Sequence, residues 1–501
     1  MQKMYLQELF RGIPHIVVQG AEKIKQIQIR GLSCDSKKMH KNTLFVCITG
    51  VKEDGHCYIK EACEKGASCI LIEKYHMRNI PENVVVIRVK DTRAVYAHLC
   101  ARWFHFPAND LKIIGITGTK GKTTTAYLIY HMLQKAGVSV GLIGTIETII
   151  EENVYESKNT TPDAFTIHQY FDTMKGKGLQ YVVMEVSSQA LKQKRVEGIS
   201  FDVAVFTNLH RDHIGKTEHA SLEEYRYYKS LLFKRCKVAV GNVDDLHCSY
   251  MFRRTICKKL GYSCQGHVGN GILTAKDIVF VKNKKGLGTS FLMGNTCVKL
   301  GLPGVFNVYN ALAAIQAVRA LGISVEEVID VLADVKIPGR MEKISVKGTA
   351  GCYVDYAHNA YSMKEMLQMF RSYKPERIII VFGCGGNRDI MRRIEMGKVA
   401  GKLADLCIIT TDNPRTESPK KIVEDIVKGI EKSNGKYQII DDRKEAIAYA
   451  LRQAKAQDIV VVAGKGHEDY QEMNGVRYHL DDKELIREIQ MEEGNCTQIL
   501  S

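Results

Sequence analysis

The stretch Leu111-Lys112-Ile113-Ile114-Gly115-Ile116-Thr117-Gly118-Thr119-Lys120-Gly121-Lys122-Thr123-Thr124, running on into Thr125–Ala136, decides the fold. An apolar run is followed by a glycine turn and then by an amphipathic segment. This is the order strand, turn, helix found at nucleotide phosphate sites. There, backbone N–H groups and the helix N-terminus face the anion, a lysine neutralises charge, and a Thr hydroxyl reaches Mg²⁺. The long form G-x-x-x-x-G-K-[ST] needs a glycine where this chain has Ile116, so the turn is the shorter Gly118-x-x-Gly121-Lys122-Thr123. It points to ATP without naming a reaction.

Outward from this turn the pattern is α/β. Residues 107–337 form a central region in which Leu111–Ile116, Tyr181–Met184, Phe201–Thr207 and Lys237–Val243 read as strands alternating with helices, a doubly wound parallel sheet. Residues 1–106 carry shorter apolar runs, Thr43–Ile48, Ala67–Ile72 and Asn83–Val89, and read as a small α/β domain ending in the linker Phe106–Asp110. Residues 338–501 start at Pro338-Gly339-Arg340. Their runs Ile378–Phe382, Leu406–Thr411 and Ile459–Ala463 read as buried parallel strands of a Rossmann-like domain. The expected fold class is therefore α/β with three domains.

Composition narrows the function classes. The 501 residues have ordinary globular composition, 45% hydrophobic and 25% charged. The net charge of +15 is spread without a long Lys/Arg block or a basic stretch interleaved with aromatics. This favours anionic small substrates over nucleic acid. The 15 cysteines include no Cys-x-x-Cys pair, which argues against a disulfide framework or a structural metal site. No signal peptide and no run of about 18 apolar residues is seen, so a cytoplasmic protein without a membrane span is expected.

Polar motifs crowd the strand ends. Tyr181–Met184 runs into Glu185, a strand-end carboxylate suited to Mg²⁺ beside a phosphate loop. Phe201–Thr207 runs into Asn208-Leu209-His210-Arg211-Asp212-His213, which suggests a metal or phosphate role. Lys229, in the helical stretch Tyr225–Phe233, carries no signal of its own and reads as a surface lysine. In the last region three strands end in Gly383–Asp389, Asp412-Asn413-Pro414-Arg415 and Gly464–Asp469. Ligands of open α/β sheets bind beyond the carboxyl ends of strands. Arginines for carboxylates and acids for an amine make a zwitterionic amino acid the natural guest.

Together these motifs resemble the Mur ligases, ATP-dependent peptide synthetases of peptidoglycan precursors, over nearly the whole chain. The resemblance implies a UDP-binding first domain, a central ATPase domain and a C-terminal domain that binds the incoming amino acid. ATP would be held by Gly118, Thr119, Lys120, Gly121, Lys122, Thr123 and Thr124, with Asn307 and Asn310 on the adenine side and Arg340, Asp355 and His358 at the start of the third domain. The UDP-MurNAc-dipeptide would lie along Cys34, Ser36, Val51, Lys52 and Glu53, then Asn159, Thr160, Thr161, Ser187, Gln193 and Arg195. Mg²⁺ would be held by Thr123 and Glu185, and a second ion by His213 and a carbamylated Lys229. Lys122, Glu185, His213 and Lys229 would carry the catalysis. The form Asp412-Asn413-Pro414-Arg415 resembles that of synthetases adding meso-diaminopimelate, with Arg388, Gly464 and Glu468 completing the pocket. Lys120, Gln189, Lys37 and Asn359-Ala360 depart from the common pattern, standing where Asn, His, Arg and Thr-Pro are usual.

The implied reaction joins meso-diaminopimelate to the D-Glu side-chain carboxylate of UDP-MurNAc-L-Ala-D-Glu through an acyl phosphate. The expected partners are these small molecules and ATP, bound by a monomer. Lysine addition, ligation to another glutamyl acceptor such as a folate, a non-catalytic nucleotide-binding regulator and a nucleic-acid motor remain as alternatives.

Overall fold

The computed structural model describes residues 3–50, 53–74, 80–212, 214–215, 218–253, 255–283, 286–346, 348–349 and 351–499, with side chains through Glu492. By compactness the chain divides into two units, one of residues 1–273 and 312–328, the other of residues 274–311 and 329–501.

The first unit carries two sheets. Its N-terminal sheet runs in the order Ile16–Gln19, Val85–Arg88, Ala67–Ile72, Thr43–Val46, Gly31–Ser33, parallel except for the first pair. Alternate residues of these strands feed opposite faces: Leu44, Cys69, Leu71 and Ile87 enter one core with Leu99 and Trp103, while Phe45, Ile70 and Ile72 enter another. The expected linker is a 3₁₀ turn, Pro107–Asp110, entered through Phe106 at φ 55°.

Its second sheet has the phosphate-loop strand at the centre. Val140–Ile143, Tyr181–Glu185, Lys112–Thr117, Phe201–Phe206, Cys236–Asn242 and Lys258–Ser263 are adjacent in that order and all parallel. This is the doubly wound core expected from the sequence. The antiparallel strands Glu147–Ile150 and Asn153–Glu156 extend its edge and were not anticipated. Gly115 is required inside the sheet because a Cβ there would lie 2.6 Å from the Phe201 ring.

The second unit contains an antiparallel meander, Ile272–Asn283, Gly286–Met293 and Thr296–Leu300, also absent from the sequence reading. Its main sheet runs Glu342–Ile344, Gly351–Asp355, Ile459–Ala463, Ile378–Phe382, Leu406–Ile409, Tyr437–Ile439, parallel except for the first pair. Ile378, Ile380, Phe382 and Val461 face one helical layer, and Ile379, Val381, Val460 and Val462 the other. Burial on both faces explains why these strands read as unbroken apolar runs. A hairpin, Tyr470–Met473 with Val476–His479, turns on Asn474-Gly475, both at positive φ. Among the described residues no helix is long and apolar enough to cross a membrane.

Candidate active site

The glycine turn does what its composition requires. Gly118 sits at φ 156°, where a Cβ would lie 1.8 Å from Thr207 Oγ1, and Gly121 sits at φ 83° as the N-cap of the helix Lys122–Lys135. The turn is braced by the next strand end: Lys120 N–H donates to Asn208 Oδ1 (2.9 Å), and Thr207 Oγ1 and Asn208 Nδ2 donate to the Lys120 carbonyl (2.6 and 3.1 Å). Lys122 Nζ donates to the carbonyls of Gly118 and Thr119 at 3.0 and 3.2 Å. An ammonium thus stands beside a helix N-terminus, the arrangement that attracts phosphate. Lys120, which replaces the usual Asn, pairs with Asp212 at 3.3 Å.

Glu185 ends its strand with no exposed surface. Its Oε2 accepts from Thr123 Oγ1 (3.0 Å) and Thr145 Oγ1 (2.9 Å), and its Oε1 from the Thr145 N–H (2.8 Å). A Cβ at Gly144 would lie 2.8 Å from Oε1, so that glycine makes room for the carboxylate. A buried carboxylate beside a threonine hydroxyl at a phosphate turn is an all-oxygen donor set, the kind Mg²⁺ takes.

Lys229 contradicts its reading as a surface residue. It is 1% exposed on the helix Leu222–Ser230, its Nζ donating to the Gly118 carbonyl at 2.8 Å and lying 4.5 Å from the Tyr225 ring centroid. Burial, reinforced by the Lys122 charge and opposed by Asp212, holds its ammonium well below the ordinary lysine range. A legible signal existed. Leu222, Tyr225, Lys229 and Leu232 follow helical spacing, which puts Lys229 on the apolar face. Tyr225, not singled out from sequence, touches the turn through Thr119 Oγ1 at 3.2 Å. His213, the expected second metal ligand, lies outside the described residues, as do Val51 and Lys52.

The residues expected along the dipeptide meet in the same unit. Thr161 Oγ1 donates to the Glu185 carbonyl (2.9 Å) and accepts from the Ser187 N–H (3.0 Å). Arg195 donates to the Thr161 carbonyl at 2.7 Å and to Gln193 Oε1 at 2.7 and 3.0 Å. Thr160 Oγ1 receives Thr145 Oγ1 at 3.1 Å, which leaves neighbouring Asn159 next to this network in the chain. Cys34, Asp163 and Arg195 lie within electrostatic reach of one another. Asp163, which caps the helix Ala164–Gly176, was read only as part of a motif. Ser36 is buried and donates to Glu61 at 2.8 Å, whereas Glu53 accepts from Tyr58 OH at 3.1 Å.

In the second unit Asn307 and Asn310 pair on one helix face, 3.1 Å apart. Asp355 is buried and accepts from the N–H groups of Met341 and Ala357 at 2.9 Å each. Burial raises its pKa, against the pull of Arg340. Arg340 lies 4.4 Å from the Tyr356 ring centroid, and its Nη1 is buried without a hydrogen-bond partner, a cation ready for an anion. His358 Nδ1 lies 2.7 Å from the Tyr356 carbonyl.

The three polar strand ends of this unit converge as expected. Asn413 Nδ2 donates to Glu468 Oε2 (2.9 Å), whose other oxygen accepts from Tyr356 OH (3.2 Å). Burial and the Asp412 charge raise the Glu468 pKa. A Cβ at Gly464 would lie 2.6 Å from Asp412 Oδ2, and one at Gly386 would lie 1.9 Å from the Pro414 carbonyl. Arg415 sits at φ 54°, its Nη1 donating to the Gly386 carbonyl at 2.6 Å. Arg388 is exposed in the loop before the helix Ile390–Leu403. Sequence reasoning missed Lys465, which is fully buried and reaches Asn413 Oδ1 at 3.3 Å, and Glu472, which stands 3.5 Å from Arg415 Nε.

Fold and site together define an α/β protein with a glycine phosphate-loop turn on one parallel sheet and a cluster of polar strand ends on a second. Residues 28–104, 116–318 and 339–466 match, respectively, the family descriptions "Mur ligase family, catalytic domain", "Mur ligase middle domain" and "Mur ligase, glutamate ligase domain". UDP-N-acetylmuramoyl-L-alanyl-D-glutamate--2,6-diaminopimelate ligase 2 of Clostridium acetobutylicum is 39% identical over 490 residues, 97% of this chain and 100% of that one. Its ligase 1 is 40% identical over 474 residues, 92% of this chain and 95% of that one. A solved UDP-N-acetylmuramoyl-L-alanyl-D-glutamate--2,6-diaminopimelate ligase is 30% identical with a TM-score of 0.69, over 98% of this chain and 100% of the other. The chain belongs to the Mur ligase family.

Proposed function

We propose that the protein is the ATP-dependent ligase that adds meso-diaminopimelate to the D-Glu side-chain carboxylate of UDP-MurNAc-L-Ala-D-Glu. The observation that carries the chemistry is the buried Glu185 carboxylate held by Thr123 at the head of the phosphate turn, with the Lys122 ammonium beside it. The acceptor and amino acid follow from the names of relatives that span the whole chain, and from Arg415 at the mouth of the last strand ends.

In this reading the N–H groups and helix N-terminus behind Gly121 hold the ATP phosphates, and Lys122 offsets charge at the γ-phosphate. Mg²⁺, held by Thr123 and Glu185, would add electrophilic polarisation of that phosphate. The D-Glu carboxylate, positioned by Thr160, Thr161 and Arg195, attacks phosphorus and displaces ADP. The amine of the amino acid then attacks the acyl phosphate, and phosphate leaves as the amide forms. The proton lost by the amine goes to solvent. Burial, which lowers the Lys229 pKa, favours its free amine, the form that reacts with CO₂. The resulting carbamate would turn the neutral amine into an anionic oxygen ligand at the Gly118 turn, with release of one proton.

The test is phosphate release with ATP, Mg²⁺ and UDP-MurNAc-L-Ala-D-Glu, in the presence of meso-diaminopimelate, L-lysine or no amino acid. Release with meso-diaminopimelate and the matching tripeptide mass is expected. Release with lysine alone would reassign the amino acid, and release with neither would reassign the acceptor.

A further inference from the structure

The buried imidazole of His219 joins two elements that each lead to the phosphate turn. Its Nε2 lies 2.9 Å from Ser188 Oγ, at the start of the short helix Ser188–Lys192. That helix follows closely on the strand end that holds Glu185. His219 itself stands just before the helix Leu222–Ser230, which carries Tyr225 and Lys229. A second link runs beside the first. Lys192 Nζ lies 2.9 Å from Glu224 Oε1 and donates to the Glu218 carbonyl, also at 2.9 Å. Glu224 Oε2 accepts from the Ala220 N–H at 2.6 Å. The rings of Tyr225 and Tyr228 flank the imidazole, their centroids 5.1 and 5.8 Å from its own.

Serine, histidine and a carboxylate in a row have the composition of an activated nucleophile. The surroundings exclude that role. Ser188 is 4% exposed and His219 fully buried, so a substrate carbonyl has no approach to either. Glu224 Oε2 lies 3.8 Å from His219 Nδ1, too far to orient the ring by a hydrogen bond. What the contact does is hold position. Lys229 and Tyr225 meet the phosphate turn at the Gly118 carbonyl and at Thr119 Oγ1. Glu185 reaches the same turn through Thr123. The helix Leu222–Ser230 is thus fastened at two places, to the turn through Tyr225 and Lys229, and to the segment behind Glu185 through His219 and Glu224.

We propose that His219 is a positioning residue, whose bond to Ser188 seats the helix Leu222–Ser230, and with it Lys229, against the phosphate turn. This rests on the reading above in which Lys229 acts at that turn, and adds to it a residue that touches no substrate. Loss of the contact frees the N-terminal end of the helix. A misplacement of about 1 Å is enough to slow chemistry that depends on position. A glutamine at 219 can bring its amide nitrogen close to the place of the imidazole Nε2, whereas an asparagine is a methylene shorter and stops short of Ser188.

His219→Asn, His219→Gln and Ser188→Ala are compared with the wild type in two readouts. The first is chemical labelling of lysine amines in the ligand-free protein, followed peptide by peptide by mass spectrometry. Lys229, 1% exposed, is expected to label about tenfold faster in His219→Asn and in Ser188→Ala, while exposed Lys60 keeps its wild-type rate. The second is phosphate release. In the same two variants kcat is expected to fall about tenfold, with KM for UDP-MurNAc-L-Ala-D-Glu and for the amino acid within about twofold. His219→Gln is expected to bring both readouts back to within about threefold of wild type. Unchanged Lys229 labelling overturns the proposal, as does a glutamine variant no better than the asparagine one. So does a rise in labelling that merely follows a loss of global stability in urea titration. Ser188→Ala, which removes only a hydroxyl, carries the test if the His219 variants do not fold. A wild type that releases no phosphate overturns the functional reading instead, and the labelling still decides whether His219 seats Lys229.

Discussion

Thr123 and Glu185 lie 62 positions apart in the chain, yet the threonine hydroxyl donates to the carboxylate across 3.0 Å. Adjacent parallel strands, Lys112–Thr117 and Tyr181–Glu185, bring them together by ending at the same level. Glu185→Gln keeps the volume but replaces an acceptor oxygen with a donor facing two threonine hydroxyls. Turnover is expected to fall at least about a hundredfold through loss of an anionic Mg²⁺ ligand. Stability is expected to fall by about 1–3 kcal/mol from the mismatched buried donors. Phosphate release and denaturant titration separate the two effects.

Lys229 gives a pH signature. Its folded pKa is depressed by burial, whereas in the unfolded chain it holds its proton to about pH 10.4. Between the two values the unfolded state binds more protons, so wild-type stability rises with pH across that window. Lys229→Met removes the group and its pH dependence. In CO₂-free buffer the stability of the variant relative to wild type should therefore shrink as pH rises from 7 toward 9. Turnover of the variant should be lost at every pH, and a gap that stays constant with pH would mean that the lysine folds charged.

At the amino-acid pocket, Arg415→Lys is expected to lower kcat/KM for meso-diaminopimelate by about a hundredfold or more. A lysine cannot hold the Gly386 carbonyl while presenting a planar fork to a carboxylate. The KM for ATP should change little. Steady-state kinetics with each substrate varied in turn checks this.

Gly386→Ala tests the backbone of the same pocket. The added Cβ would lie 1.9 Å from the Pro414 carbonyl, so one of the two loops must move. A loss of about 1–3 kcal/mol of stability is expected, together with a raised KM for the amino acid. Thermal unfolding and initial rates provide the readouts.

The pair Arg443–Asp482 is buried, with side chains 1% and 0% exposed and an Nε–Oδ1 distance of 2.6 Å. Asp482→Ala leaves the guanidinium without its partner and is expected to cost about 3–5 kcal/mol. Replacing both by apolar residues should cost much less. Urea titration of the single and double variants measures the difference.

The sequence by itself determined the parallel α/β architecture, because strands buried on both faces must be apolar throughout, as Ile378–Phe382 and Ile459–Ala463 are. It also determined the phosphate turn, since Gly118 and Gly121 occupy backbone conformations that only glycine reaches cheaply. The antiparallel strands Glu147–Ile150 and Asn153–Glu156 escaped it because the first alternates in burial and the second is exposed throughout, so neither makes an unbroken apolar run. The hairpin at Asn474-Gly475 carried a readable turn signal, but nothing local linked it to a strand end some 60 positions away. Only the tertiary structure lowered the Lys229 pKa, because burial and the nearby Lys122 charge act through space and leave no mark in the local sequence. Only the tertiary structure set Glu472 beside Arg415, because charge complementarity acts through space and leaves no periodicity in the chain.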